Sequence, residues 1–304
     1  MNTMDQVILE DQTLRDGLQN EARIFSIDEK IQIVEDLIKA GLTRIQLGSF
    51  VHPERVPQMA DTDELIRLVG ERPSITFTAL VLNEKGMDRA LACGIRNVAI
   101  SISVSDAHSL RNVNRTSDEA LKAMAPLIEK AATAGLSVRA GLQCVFGCVY
   151  QGAVEESRVL RASEIMAKAG ASEINLADTT GMANPPQVRR VCKKFREILL
   201  EHPIVLHLHN TRGLGMANMV AGYETGVRIF DVCTGGLGGC PFVKGAAGNV
   251  PTEDAVHLFE AMGARTGIDL EKLVKVVDLL ENKLQRALPG HMSRVLKSLG
   301  QQCG

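Results

Sequence analysis

Tryptophan is absent from this 304-residue chain, and only two Tyr and eight Phe stand beside that absence. A nucleic-acid surface that stacks bases on aromatic rings has too few platforms here. An excess of charge of one sign is also lacking: 34 Lys and Arg face 36 Asp and Glu, a net charge of −2. No global basic field draws in DNA, RNA or anionic lipid. Long apolar runs are missing, falling well short of the roughly 18–20 residues that span a bilayer. Met1 to Gln6 carry no basic segment followed by an apolar one and no Arg-rich stretch, so neither an export signal nor a transit peptide is legible. These absences predict a cytoplasmic protein with no nucleic-acid and no membrane partner. Seven cysteines (93, 144, 148, 192, 233, 240 and 303) in a chain this long argue against a disulfide framework; most read as buried apolar residues, with Cys303 an exposed thiol. Hydrophobic residues at 45% and charged residues at 23% describe a globular chain that buries its own core.

What is present is a rhythm. β-branched, apolar segments at 7–14, 44–50, 76–82, 97–104, 137–146, 173–177, 204–209 and 229–234 read as strands. Helical patterns follow at 26–40, 62–69, 84–93, 117–134, 155–169, 185–200, 214–225 and 252–262. Glycines 41, 94, 135, 170 and 226 stand just after helices, where a left-handed residue ends the turn. The strands are continuous rather than alternating, as expected when both faces are covered. Eight such units over about 260 residues predict an α/β fold, a (β/α)8 TIM barrel. No composition break divides the chain. The expectation is a single domain over 1–304, with the barrel at about 7–263 and a helical extension at about 264–304.

In such a barrel the chemistry sits in the loops after the strands. Three strand ends are chemically unusual. The first presents Arg15-Asp16-Gly17, either a surface turn or a reactive pair. The seventh carries His207 and His209, two residues apart and so on one face of a strand. They suit either a shared metal or a pair of bonded core histidines. The eighth leads into Gly235-Gly236-Leu237-Gly238-Gly239-Cys240-Pro241 and then Gly248-Asn249. That run is either a plain flexible loop or one that lets backbone approach a ligand closely. It has neither a dinucleotide-binding nor a Walker spacing. Strands one, seven and eight are neighbours in a closed barrel, so Asp16, His207, His209 and Asn249 converge in this reading. Two imidazoles and two oxygen donors suit Mg²⁺ or Mn²⁺, with Zn²⁺ or Co²⁺ also accommodated. Arg15 would stabilise a developing oxyanion, and Cys240 would move a proton.

Leu14-Arg15-Asp16-Gly17-Leu18-Gln19-Asn20-Glu21, Ser49-Phe50-Val51, Val56-Pro57-Gln58-Met59, Asp178-Thr179-Thr180-Gly181, His207-Leu208-His209 and Gly236-Leu237-Gly238-Gly239-Cys240-Pro241 carry a resemblance. The chain is similar, nearly end to end, to 3-hydroxy-3-methylglutaryl-CoA (HMG-CoA) lyase, within the wider group of TIM-barrel metal-dependent lyases and Claisen-type synthases. The resemblance implies retro-Claisen cleavage of an acyl-CoA, with CoA as part of the substrate, and homo-oligomers, dimers or larger. It implies metal ligation by Asp16, His207, His209 and Asn249, and catalysis by Arg15, Asp16 and Cys240. Substrate contacts fall to Arg15, Gln19, Gln46, Ser49, Asp178 and Thr180.

The sequence departs from that pattern on the substrate side. Gln46 stands where the lyase carries Glu, and an amide can neither hold a charge nor take a proton. Asn210 stands where relatives carry Asp, and Val149 replaces a Pro. These changes predict cleavage of HMG-CoA or of a close analogue. Two alternatives stay open: an acyl-CoA condensing enzyme or aldolase on another hydroxy acid, and a catalytically impaired barrel that only binds metal and ligand.

Overall fold

Segments rich in Val, Ile and Leu become strands here because helices cover one face and the barrel interior the other. The computed structural model describes residues 5–239 and 248–302. Eight strands run parallel: β1 (Ile8–Asp11), β2 (Arg44–Ser49), β3 (Thr76–Val81), β4 (Asn97–Ser103), β5 (Ser137–Gln143), β6 (Glu173–Ala177), β7 (Ile204–His207) and β8 (Ile229–Val232). They close into a barrel in sequence order, a TIM barrel. β8 returns to β1 through register pairs from Ile8 with Ile229 to Asp11 with Val232.

Helices α1 (Ile27–Lys39), α2 (Thr62–Val69) and α3 (Glu84–Cys93) follow the first three strands. After β4 come two, α4 (Asp106–Val113) and α5 (Ser117–Thr133). Then α6 (Glu156–Lys168), α7 (Pro185–Ile198), α8 (Gly215–Glu224) and α9 (Thr252–Ala261) follow β5 to β8. Two more, α10 (Leu270–Leu284) and α11 (His291–Gln302), come last. Ser26 with Glu29 and Thr116 with Glu119 form capping boxes that start α1 and α5. The apolar core lies between strands and helices. There Ile33, Leu37, Phe195, Phe230 and Phe259 are fully buried. The barrel interior is polar instead, and that distinction positions the site.

Several boundaries differ from the sequence expectation, four of them instructively. β1 stops at Asp11 rather than at residue 14, because the Asp11 carboxylate captures the Thr13 N–H at 2.9 Å and turns the chain. β5 stops at Gln143, where Cys144 adopts a left-handed φ of 60°. β7 ends at His207, and His209 meets Asn249 in an isolated bridge. The segment after β4, read as loop, contains α4, begun by the Ser105 hydroxyl accepting from His108 N–H. Cys93, Cys144, Cys148, Cys192 and Cys233 are free and buried, as the composition predicts. Cys240 and Cys303 lie outside the described residues.

Candidate active site

The first site element is built by Asp11. Its Oδ1 accepts from Thr13 N–H, and its Oδ2 accepts from the backbone and hydroxyl of Thr234 and from the Thr252 hydroxyl at 2.8–3.1 Å. The strand ladder is thereby broken and residues Thr13–Gly17 wind into a single π-turn. Gly17 and Leu18 N–H return to the carbonyls of Gln12 and Thr13 at 3.1 and 2.8 Å. Such turns recur at functional sites because they push side chains out of helical register. Only glycine fits at 17, since a Cβ there would lie 2.8 Å from Cys233 Sγ. The turn aims Arg15 and Asp16 at the barrel mouth.

β7 delivers the histidines. His207 Nε2 and His209 Nε2 face each other at 3.1 Å, with their rings 5.0 Å apart and crossed at 61°. Asp16 Oδ2 lies 3.9 Å from His209 Nε2. Asp16, His207 and His209 each bring a donor atom into one group within 4.8 Å. Asn249 Nδ2 donates to Asp16 Oδ2 at 2.7 Å and to the Leu237 carbonyl at 3.0 Å. Its Oδ1 is buried with no partner among the described residues. Burial alone would raise the Asp16 carboxyl, but Arg15, both histidines and Asn249 hold it well below the usual range. Burial pushes the His209 imidazole down to about 4, with His207 adding to the effect. At neutral pH His209 is therefore an uncharged donor.

These residues fit a divalent cation. Two imidazole nitrogens 3.1 Å apart match the spacing of adjacent ligands on one ion at roughly 2.1 Å each. The carboxylate is ionised, and Asn249, bonded to it, keeps a buried side-chain oxygen with no partner among the described residues. Asp16, His207 and His209 thus form a candidate metal centre of the kind the sequence predicts.

A cleft of about 130 Å³ opens beside it, lined by Arg15, Asp16, Gln19, Gln46, His207 and His209. Arg15 Nε donates to Gln46 Oε1 at 2.6 Å, and Arg15 Nη1 pairs with the Asp16 carboxylate. Its Nη2 has no partner among the described residues. The structure does not bring Ser49, Asp178 or Thr180 to the cleft wall. Ser49 accepts the Thr62 hydroxyl through its carbonyl, and Thr180 bonds the Gly147 carbonyl. Asp178 caps the turn after β6 by accepting from Met182 and Ala183 N–H, and burial pushes its carboxyl up to about 6.

Sequence reasoning missed the floor of the cleft. Arg139 is 5% exposed and reaches three carboxylates, Glu10, Glu173 and Asp231. Arg44 bridges Glu10 and Glu173 as well. Against burial, these carboxylates keep the Arg139 guanidinium firmly charged. The signal was available: single charges inside apolar strands, as in Val138-Arg139-Ala140 and Phe230-Asp231-Val232. Such residues point into the barrel or break the strand.

Comparison with known proteins agrees with this geometry. The HMGL-like family model matches residues 6–280. The (R)-citramalyl-CoA lyase of Chloroflexus aurantiacus is 40% identical over 94% of this chain and 93% of its own. The hydroxymethylglutaryl-CoA lyase YngG of Bacillus subtilis is 38% identical over 93% and 95%. The solved HMG-CoA lyase of Acinetobacter baumannii, in complex with coenzyme A and 3-methylmalate, superposes with a TM-score of 0.90 at 35% identity, covering 97% of this chain and 96% of its own. The chain belongs to the HMGL-like family, and it is a carbon–carbon lyase.

Proposed function

We propose that this protein cleaves a 3-hydroxyacyl-CoA thioester by a divalent-metal-dependent retro-Claisen reaction, the acyl group being that of HMG-CoA or of citramalyl-CoA. Relatives of nearly equal identity bear those two names. Both substrates carry a tertiary alcohol, a methyl group and a free carboxylate, and differ by one methylene. Both release acetyl-CoA. The observation that carries the reading is the meeting of Arg15 and Asp16, on the turn after β1, with His207 and His209 at the edge of one cleft.

Mg²⁺ or Mn²⁺ held by Asp16, His207, His209 and Asn249 would polarise the substrate oxygens as a Lewis acid. The chain's own residues supply the rest. Asp16 and Gln46 hold Arg15 from two sides, so its guanidinium is oriented before substrate arrives. A base takes the 3-hydroxyl proton as that oxygen becomes a carbonyl, the C2–C3 bond breaks, its electron pair flows into the thioester and charge gathers on the thioester oxygen. Arg15 Nη2 is the donor placed to stabilise it. Gln19 and Gln46 offer neutral hydrogen bonds to the acyl group. Cys240 would deliver a proton to the enolate carbon, a role drawn from the family resemblance. Cys240→Ser is then expected to keep metal and substrate binding while losing most turnover.

The test is product analysis by mass spectrometry with Mg²⁺ or Mn²⁺ present. Acetyl-CoA from HMG-CoA, with acetoacetate, or from citramalyl-CoA, with pyruvate, supports the reading and names the substrate. No acetyl-CoA from a broad panel of 3-hydroxyacyl thioesters would overturn it.

A further inference from the structure

Asp231 is a buried carboxylate on β8 that the reading above leaves without a task. Its Oδ1 accepts from Arg139 Nη1 at 2.9 Å. Its Oδ2 accepts from Asn175 Nδ2 at 2.8 Å and faces His207 Nδ1 at 3.2 Å. A carboxylate paired with a guanidinium can only accept hydrogen bonds. His207 Nδ1 must then be the donor, because a ring lone pair would repel the oxygen opposite it. The proton on Nδ1 leaves Nε2 with a lone pair directed toward His209.

We propose that Asp231 is a positioning residue that fixes His207 in its Nδ1–H tautomer, and that Arg139 and Asn175 clamp Asp231 so that it does so. The clamp is rigid because it ties strands together. Arg139 on β5 reaches Glu10 on β1, Glu173 on β6 and Asp231 on β8, and Arg44 on β2 bridges two of the same carboxylates. Asp231 cannot rotate toward the cleft without unpairing Arg139. A carboxylate behind a ligating imidazole sets both ring orientation and donor strength. Asp231 is thus held from below and acts upward on one ring. The inference rests on the lyase reading only in taking His207 as a metal ligand.

Asp231→Asn separates this role from a merely structural one. Arg139 requires an oxygen on its side, so the amide NH₂ turns toward His207. The ring must then accept at Nδ1 and carry its proton on Nε2. The probe is ¹⁵N NMR of histidine-labelled, metal-free protein, with the His207 signal assigned by its loss in His207→Gln. Mn²⁺ affinity is measured in parallel by titration calorimetry. The parent should show Nδ1–H. Asp231→Asn should show Nε2–H with Mn²⁺ affinity at least tenfold lower. Asn175→Ala, which removes one of the two supports of Asp231 and leaves the His207 contact in place, should keep Nδ1–H and lower Mn²⁺ affinity by less than Asp231→Asn does. An Nε2–H signal in the parent overturns the proposal even if the variant fails to fold. So does an Asp231→Asn protein that keeps Nδ1–H and parental Mn²⁺ affinity. A parent with Nδ1–H that takes up no Mn²⁺ would sink the metal reading and leave the Asp231 assignment standing.

Discussion

Asn249 donates its side-chain N–H to Asp16 Oδ2 at 2.7 Å, joining residues 233 positions apart in the chain. The bond fastens the turn after β1 to the segment after β8 and fixes which Asp16 oxygen faces the histidines. Asn249→Ala removes both this bond and the orphaned Oδ1. Mn²⁺ affinity should fall by roughly 10–100-fold, as for other residues that orient a ligand. Equilibrium dialysis reads the change, and parental affinity would remove Asn249 from the ligand set.

Gln46 accepts from Arg15 Nε through an uncharged oxygen. Gln46→Glu keeps the acceptor and adds a negative charge that competes with substrate anions for the guanidinium. Since the family resemblance implies a Glu at this position in HMG-CoA lyase, the variant should favour HMG-CoA over citramalyl-CoA. The expected change in the ratio of their kcat/KM values is about tenfold, equivalent to roughly 1.4 kcal/mol. A ratio within about twofold of the parent would show that residue 46 does not select between them.

Arg139 neutralises two buried carboxylates, Glu10 and Asp231, and the half-buried Glu173 from inside the barrel. Arg139→Met fills the space but leaves Asp231 without a guanidinium and Glu10 and Glu173 to share Arg44 alone. Breaking a buried ion pair from one side costs about 3–5 kcal/mol, so the urea midpoint should drop sharply. A double variant that also neutralises Glu10, Arg139→Met with Glu10→Gln, should recover part of the loss.

Glu253 lies beneath the glycine-rich turn, accepting from Gly235 N–H at 3.0 Å while its other oxygen has no partner among the described residues. Burial, with Asp254 and Asp11 nearby, pushes its carboxyl up to about 8. The folded chain therefore holds a proton that the unfolded chain releases near pH 4–5. Stability from this group is present at low pH and is lost as pH rises from about 4.5 to 8, at up to roughly 1.4 kcal/mol per pH unit. Glu253→Gln should flatten that slope in denaturation curves taken between pH 5 and 8. An unchanged slope would show that the carboxyl is already ionised in the folded state.

The barrel was legible because helix-ending glycines and β-branched strands repeat at a steady interval. Asp16, His207 and His209 were legible because strand ends are where barrel chemistry gathers. The turn at Thr13–Gly17 was not. Leu14 continues the apolar run of β1, and the bonds that break it are made by Asp11, to Thr13 beside it and to Thr234 and Thr252 far along the chain. Arg139 and Asp231 stand out as single charges inside apolar strands, but their pairing does not, since they lie on distant strands 92 residues apart. Local patterning carries no record of such pairing. Asp178 and Thr180 show the converse: a recognisable motif whose side chains support the loop backbone rather than face the cleft.

The pairing of β8 with β1 also sets an order in time. A ribosome makes Asp16 early and Asn249 only after most of the chain has emerged. Until β8 arrives, the barrel has an open edge, the turn after β1 lacks Thr234 and Thr252 to hold it, and the donor set lacks members. Metal capture of the kind proposed is therefore a late event of synthesis. An emerging chain stopped before β8 would hold Asp16 and the histidines on strands that no closed sheet yet joins, and so would have little means of sequestering an ion before the fold is complete.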